Sequence, residues 1–210
     1  MKARQKLMVI AFQSLIIGLF ASCASVGQHN IIENNPYNFS DFIGEKLTVQ
    51  IHMVFWPWYH ASIRITLDSD ELLEKYRDGD EFIQIDDNGL KYITLGSGPN
   101  NRILNRQLVA EFNRPRDINN DIKVETYSFD LPKENNIEVI EKILDAFKAY
   151  NNDLSYSYFP NTRNKKFNSN SFITGLLSNV GLEIPKFNDK YKLPGYNKPI
   201  PLISYDLTIP

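Results

Sequence analysis

The order of patterns along the chain predicts an α+β fold, an antiparallel sheet with helices packed on it. Three observations carry this. Residues 45–67 alternate apolar and polar side chains with a period of two. Residues 81–99 read as two strands around an Asn-Gly turn. The long helical patterns come later, over 135–152 and again from 168.

The first β region is "EKLTVQIHMVFWPWYHASIRITL", 45–67. Thr48, Gln50 and His52 alternate with Val49, Ile51 and Met53. Pro57 has no N–H to give a ladder, so two strands with a turn at "WPWY" are expected. In the second, Ala61, Ile63, Ile65 and Leu67 share one face, and His60, Ser62, Arg64 and Thr66 share the other. "SDELLEKYRDGD" predicts a short helix, with Ser69 as cap, acidic residues in its first turn and Gly79 near its end. "EFIQID", "DNG" and "LKYITLGSGP" then predict the hairpin. "NRILNRQLVAEFNRPRDI" reads as short strands or irregular loops, because Pro115 stops a simple continuation. "IKVETYSFDLP" is another strand.

"NNIEVIEKILDAFKAYNN", 135–152, is an amphipathic helix, with Ile137, Val139, Ile140, Ile143, Leu144 and Phe147 on one broad face. An aromatic loop, "SYSYFPNTRNKK", follows. A helix then opens at "NSNSF" and runs to about Gly181. After it come Pro185, Pro194, Pro199, Pro201 and Pro210, which predict extended chain with room for one late strand.

The first residues stand outside this fold. Lys2, Arg4 and Lys6 precede an apolar run from Leu7 to Phe20, broken by Gln13 and Ser14. A basic start, a short apolar stretch and small residues after it make a secretory signal. The run falls short of the roughly 20 apolar residues that a membrane span needs. Its end, "Phe20-Ala21-Ser22-Cys23", resembles a bacterial lipobox, with Phe where Leu is more usual. That resemblance implies that Cys23 becomes a lipidated N-terminus, carrying chains such as palmitate. Cys23 is the one cysteine of the chain, so no intramolecular disulfide forms. The expected organisation is a lipoprotein signal peptide at 1–22, a lipidated start and polar tether at 23–36, and a single domain at 37–210. Loss of the leader removes three cations and takes the net charge from −2 to −5. Such a domain is not built, as a whole, to hold nucleic acid or an anionic lipid surface by charge. The basic "RNKK" at 163–166 is a local exception and reads as a solvated loop before a helix.

Two short stretches carry the candidate chemistry. In "NSNSFITGLL", Phe172, Ile173, Leu176, Leu177 and Val180 bury one helical face, and Asn168 or Ser169 is the N-cap. Capping explains the polar residues without catalysis, but not why four stand in a row. The same position suits a nucleophile, because a helix N-terminus offers unpaired N–H groups and the positive dipole end. A serine there also needs a base. His60 is the candidate, with its Nε2 expected toward Ser169 Oγ. The plain alternative is a partly buried histidine bonded at a strand end. His29 lies in the tether and His52 has no evident partner. Three scattered histidines without matching carboxylates do not make a metal site, and no cofactor is expected.

Taken together, "HASIRI" and, about 110 residues later, "NSNSF" resemble the permuted papain-like group, which includes the lecithin–retinol acyltransferase-like proteins. In that group the histidine stands on an early strand, in patterns such as H-W-A-I-Y, and the cysteine opens a later helix, in patterns such as N-C-E-H-F. His60 matches the histidine and Ser169 the cysteine, with Asn168 and Phe172 flanking it; the likeness spans about 45–180. "TLGSGP" at 94–99, "NRPRD" at 113–117 and "LPGYNKPIP" resemble stretches of domains at the ends of large secreted bacterial proteins. The departure is Ser in place of Cys, and the thiolate is what makes the cysteine members reactive. The third member of a triad is open: Gln84, or Asn113 and Asp117 of "NRPRD", could orient His60, or Arg114 and Asp117 could form an ion pair.

Three functions stay open. One is a membrane-anchored hydrolase or acyl-transfer enzyme acting on an envelope amide or ester, with Ser169 as nucleophile and His60 as base. The second is a silent domain of the same fold that binds an envelope ligand through Trp56, Trp58 and Tyr59. The third is a structural lipoprotein. Localisation in a bacterial cell envelope is expected for all three. Ala24, not Asp, after the cysteine points to the outer membrane where the organism has one.

Overall fold

The computed structural model describes residues 46–67, 75, 82–100, 106–131 and 133–201, with side chains described from 136 in the helix that begins at 133. The leader, the tether, the expected helix at 69–80 apart from Lys75, and the tail beyond 201 lie outside the described residues. The described residues belong to one compact unit, Phe42–Pro210.

The fold is α+β. Strands β1 (Lys46–Phe55) and β2 (Trp58–Leu67) form a hairpin that turns at Trp56–Pro57, where the peptide bond is cis. They are followed by β3 (Gln84–Ile85), β4 (Lys91–Pro99), β5 (Leu108–Phe112) and β6 (Lys123–Ser128). Helix α1 (Lys133–Ala149) comes next, then β7 (Ser155–Tyr156), β8 (Lys166–Phe167) and helix α2 (Ser169–Asn179). The main sheet has the order β3-β4-β2-β1-β6, with β5 also on β4, and each of its pairings is antiparallel. β7 and β8 pair in parallel apart from it. No helix among the described residues is long and apolar enough to cross a membrane.

One face of the sheet carries the core. Val49, Ile51, Ala61, Ile63, Ile65 and Leu95 are fully buried and cluster with Ile140, Ile143, Leu144 and Phe147 of α1 and Phe172, Ile173 and Leu176 of α2. At about 25 cal/mol per Å² of apolar surface, each of these side chains other than Ala61 contributes roughly 1.5–3 kcal/mol against leaving it in water. Ile137, expected on the buried face of α1, is 48% exposed, and Asn136 takes the inward place in that turn. The inward stripe therefore runs 136, 140, 143, 144 and 147, which is the helical repeat.

The opposite face was the polar one by alternation, and it is buried as well. Thr48, Gln50, His52, His60, Ser62 and Arg64 are all at most 9% exposed. Burial of polar groups requires partners. Thr48 Oγ1 donates to the Arg64 carbonyl, His52 Nε2 meets Ser62 Oγ, and Arg64 pairs with Asp86 at 2.6 Å while lying over the Tyr92 ring. Two glycines of β4 open this face to the loop that follows β5. A methyl at Gly96 would overlap the Asp117 carboxylate, and one at Gly98 would meet the Arg114 guanidinium. "TLGSGP" and "NRPRD" are thus two halves of one packing arrangement.

Candidate active site

His60 stands in β2 directly across from His52 of β1. Its Nε2 lies 2.6 Å from Asp117 Oδ1, and both side chains are almost wholly removed from solvent. A carboxylate accepts only, so the imidazole N–H on Nε2 donates, and in the neutral ring the lone pair then lies on Nδ1. This corrects the expectation that Nε2 would face Ser169: Asp117 occupies it, and Nδ1 is the nitrogen left to act as a base. Asp117 Oδ2 is buried without a hydrogen-bond partner among the described residues. Such a group costs stability where water cannot reach it, and sites of chemistry are where these costs concentrate.

His52 has a different environment. Burial first, and the neighbouring His60 second, push its pKa from 6.5 down to about 4. The two imidazole centroids are 6.5 Å apart. His52 is therefore neutral near pH 7 and adds no charge beside His60.

The other orienting candidates have structural tasks. Asn113 sits at φ 48°, where its Oδ1 accepts from the Thr94 N–H and its Nδ2 donates to the Phe82 carbonyl. Asn is one of the few residues that tolerate that backbone region. Gln84 lies in β3, opposite Tyr92 and two strands from β2. Arg114 pairs with Glu111 at 3.1 Å and not with Asp117. Tyr59 packs edge-on against Tyr191, and Trp58 edge-on against Phe159.

Helix α2 brings the second stretch to the same strand. The β2–β4 ladder stops at Ile63↔Leu95. Beyond it, the edge of β2 is taken up by other groups. Asn170 Oδ1 accepts from the Ala61 N–H at 2.7 Å, and its Nδ2 donates to the Tyr59 carbonyl at 3.1 Å. Lys192 continues the edge, accepting from the Tyr59 N–H and donating to the Pro57 carbonyl. Asn170 thus grips the backbone on both sides of His60.

The run of four polar residues is now accounted for one by one. Asn168 is the N-cap: its side chain accepts from the Ser171 N–H and donates to the Pro194 carbonyl. Asn170 holds β2 and also donates to Pro194. Ser171 donates to the Gly195 carbonyl, while its own carbonyl accepts from the Ile200 N–H. The tail motif "LPGYNKPIP" therefore packs on the start of α2. Ser169 is the exception. It is the first residue of α2, is 8% exposed, and its Oγ makes no hydrogen bond among the described residues, to His60 or to any other group. Among the described residues no cluster of His, Cys, Asp or Glu could hold a metal ion.

Asp117 as the partner of His60 was one of several possibilities in the sequence, and Asn170 was not anticipated. Its signal was present in the polar run, since a cap explains one residue and not four. No protein-family model matches the chain, and no curated protein or solved structure is significantly similar to it.

Proposed function

We propose that this chain is an envelope lipoprotein whose domain has a permuted papain-like arrangement and acts on an amide or ester, as a hydrolase or acyl-transfer enzyme. The observation that carries this is the Ser169 hydroxyl. Its three polar neighbours are all committed to holding the fold, and it alone is unbound, one residue from the clamp that grips the strand of His60. The His60–Asp117 pair supports the reading further. Asp117 holds the tautomer with the proton on Nε2 and would stabilise the imidazolium that forms when Nδ1 takes a proton.

The chemistry then follows a familiar order. Ser169 Oγ attacks the substrate carbonyl as its proton passes to His60 Nδ1. The oxyanion forms at the start of α2, where the first N–H groups have no intrahelical acceptors and the dipole favours negative charge. His60 returns the proton to the departing amine or alcohol, leaving an acyl-serine that water or a second acceptor resolves. Ser169 and His60 are not hydrogen-bonded in the free protein, so productive geometry requires them within about 3 Å of each other in the substrate complex.

A fluorophosphonate probe tests the proposal. Labelling of the wild-type protein at Ser169, lost in Ser169→Ala and strongly slowed in His60→Ala and Asp117→Asn, is expected. A folded wild-type protein that takes up no label and cleaves no ester or amide probe would point to the second reading, a silent domain of the same arrangement that binds an envelope ligand. That reading is favoured by the serine in place of cysteine.

A further inference from the structure

We propose that the tip of the β1–β2 hairpin and the two loops beside it form a docking surface for an anionic phospholipid bilayer. Phe55 is 49% exposed, Trp56 79% and Phe159 67%. They form one patch, because Phe55 is paired with Trp58 and Trp58 packs edge-on against Phe159 at 5.5 Å. Large aromatic side chains gathered at an exposed tip mark an interaction surface. Tryptophan suits the boundary between headgroups and acyl chains, since its ring is apolar and its N–H is polar.

The charge around the patch selects the partner. The segment from Phe159 to the first residue of β8 carries Arg163, Lys165 and Lys166, all exposed, and no acidic residue. The tail segment that pairs with Trp58 carries exposed Lys190, Lys192 and Lys198 against Asp189. Lys192 donates its backbone N–H to the Pro57 carbonyl, and Lys198 Nζ donates to the Pro160 carbonyl, so both segments are fixed beside the tip. The two segments beside the aromatic tip thus carry six exposed cations in a chain with a net charge of −2, with Asp189 among them and Glu125 acting on Lys190. Lipid phosphates complement the cations and the interfacial zone complements the rings. The inference is independent of any chemistry at Ser169.

The chain provides its own reporter, because its two tryptophans, Trp56 and Trp58, both lie in this patch. The full-length chain is added to vesicles of phosphatidylcholine, with and without phosphatidylglycerol, containing lipids brominated along the acyl chain. Blue-shifted and bromine-quenched emission with the anionic vesicles only is expected, however the rest of the chain attaches to them. Arg163→Gln with Lys166→Gln should weaken quenching-detected partitioning by roughly 30-fold, from about fivefold per cation near such a surface. Trp56→Phe should leave a quenchable signal from Trp58. Emission that is unshifted and unquenched on anionic vesicles overturns the proposal, as does equal quenching on vesicles without phosphatidylglycerol. A shift produced by soluble oligosaccharide in place of vesicles also overturns it, in favour of an aromatic platform for sugars.

Discussion

Asn170 binds Ala61 as a neighbouring strand would, accepting its N–H at 2.7 Å while donating to the carbonyl of Tyr59. One side chain replaces the ladder where β4 leaves β2, and it locks the start of α2 to the strand that presents His60. Asn170→Ala should therefore cost about 2–4 kcal/mol in urea unfolding, since it strands buried backbone groups. Ser169→Ala, one residue away, should change stability by less than about 0.5 kcal/mol, because its hydroxyl holds nothing in place. Equal losses for the two variants would contradict this division of labour.

Gly96 makes room for Asp117. Gly96→Ala should drive the carboxylate away from His60 and destabilise the protein by about 1–3 kcal/mol, the usual cost of overpacking. Gly98→Ala meets the far end of Arg114, which can swing aside. It should cost less than about 1 kcal/mol and leave the His60–Asp117 pair intact. Unfolding curves, with the imidazole NMR signals of His60, separate the two.

His52 should give the fold an acid sensitivity. Its pKa in the folded protein, about 4, lies below the ordinary value of 6.5, so the unfolded chain binds more protons between those values. Its contribution is fully present above about pH 6.5 and is lost as the pH falls toward 4. From pH 7 to pH 5 the loss should be about 2 kcal/mol from this group. His52→Asn should flatten that part of the profile, and an unchanged slope would show that other groups set it.

A thiol at position 169 should report the site without a substrate. In a Cys23→Ser chain, Ser169→Cys places the sulfur in the first turn of α2, one residue from the Asn170 clamp on the strand of His60. Its reaction with iodoacetamide at neutral pH should exceed that of a free thiol by about tenfold or more, and His60→Ala should slow it. Reactivity equal to a free thiol in both backgrounds would leave "NSNSF" as a cap and a clamp only.

Cys23 should carry lipid. Cells supplied with an alkyne analogue of palmitate should label the wild-type chain and not Cys23→Ala. Label that survives the substitution would place the modification elsewhere, and a wild-type chain that takes up no label would overturn the expectation.

The local pattern along the chain determined most of the elements. A period of two in 60–67 separates Ala61, Ile63 and Ile65 from His60, Ser62 and Arg64 whatever the sheet contains, because side chains on a strand alternate. Asn-Gly at 88–89 turns a hairpin, and the spacing of Phe172, Ile173 and Leu176 makes a helix with a buried face, for equally local reasons. The tertiary structure alone decided that the polar face of β1 and β2 is buried, since alternation says which residues share a face and not what covers it. It also chose Asp117 over Gln84 and Asn113 as the partner of His60. That choice depends on the space left by Gly96, in another strand, and on Asn113 being occupied by Thr94 and Phe82. Three of the four polar residues before Phe172 acquired their tasks in the same way, from Tyr59, Ala61, Pro194 and Gly195, groups whose nearness no spacing in the sequence encodes.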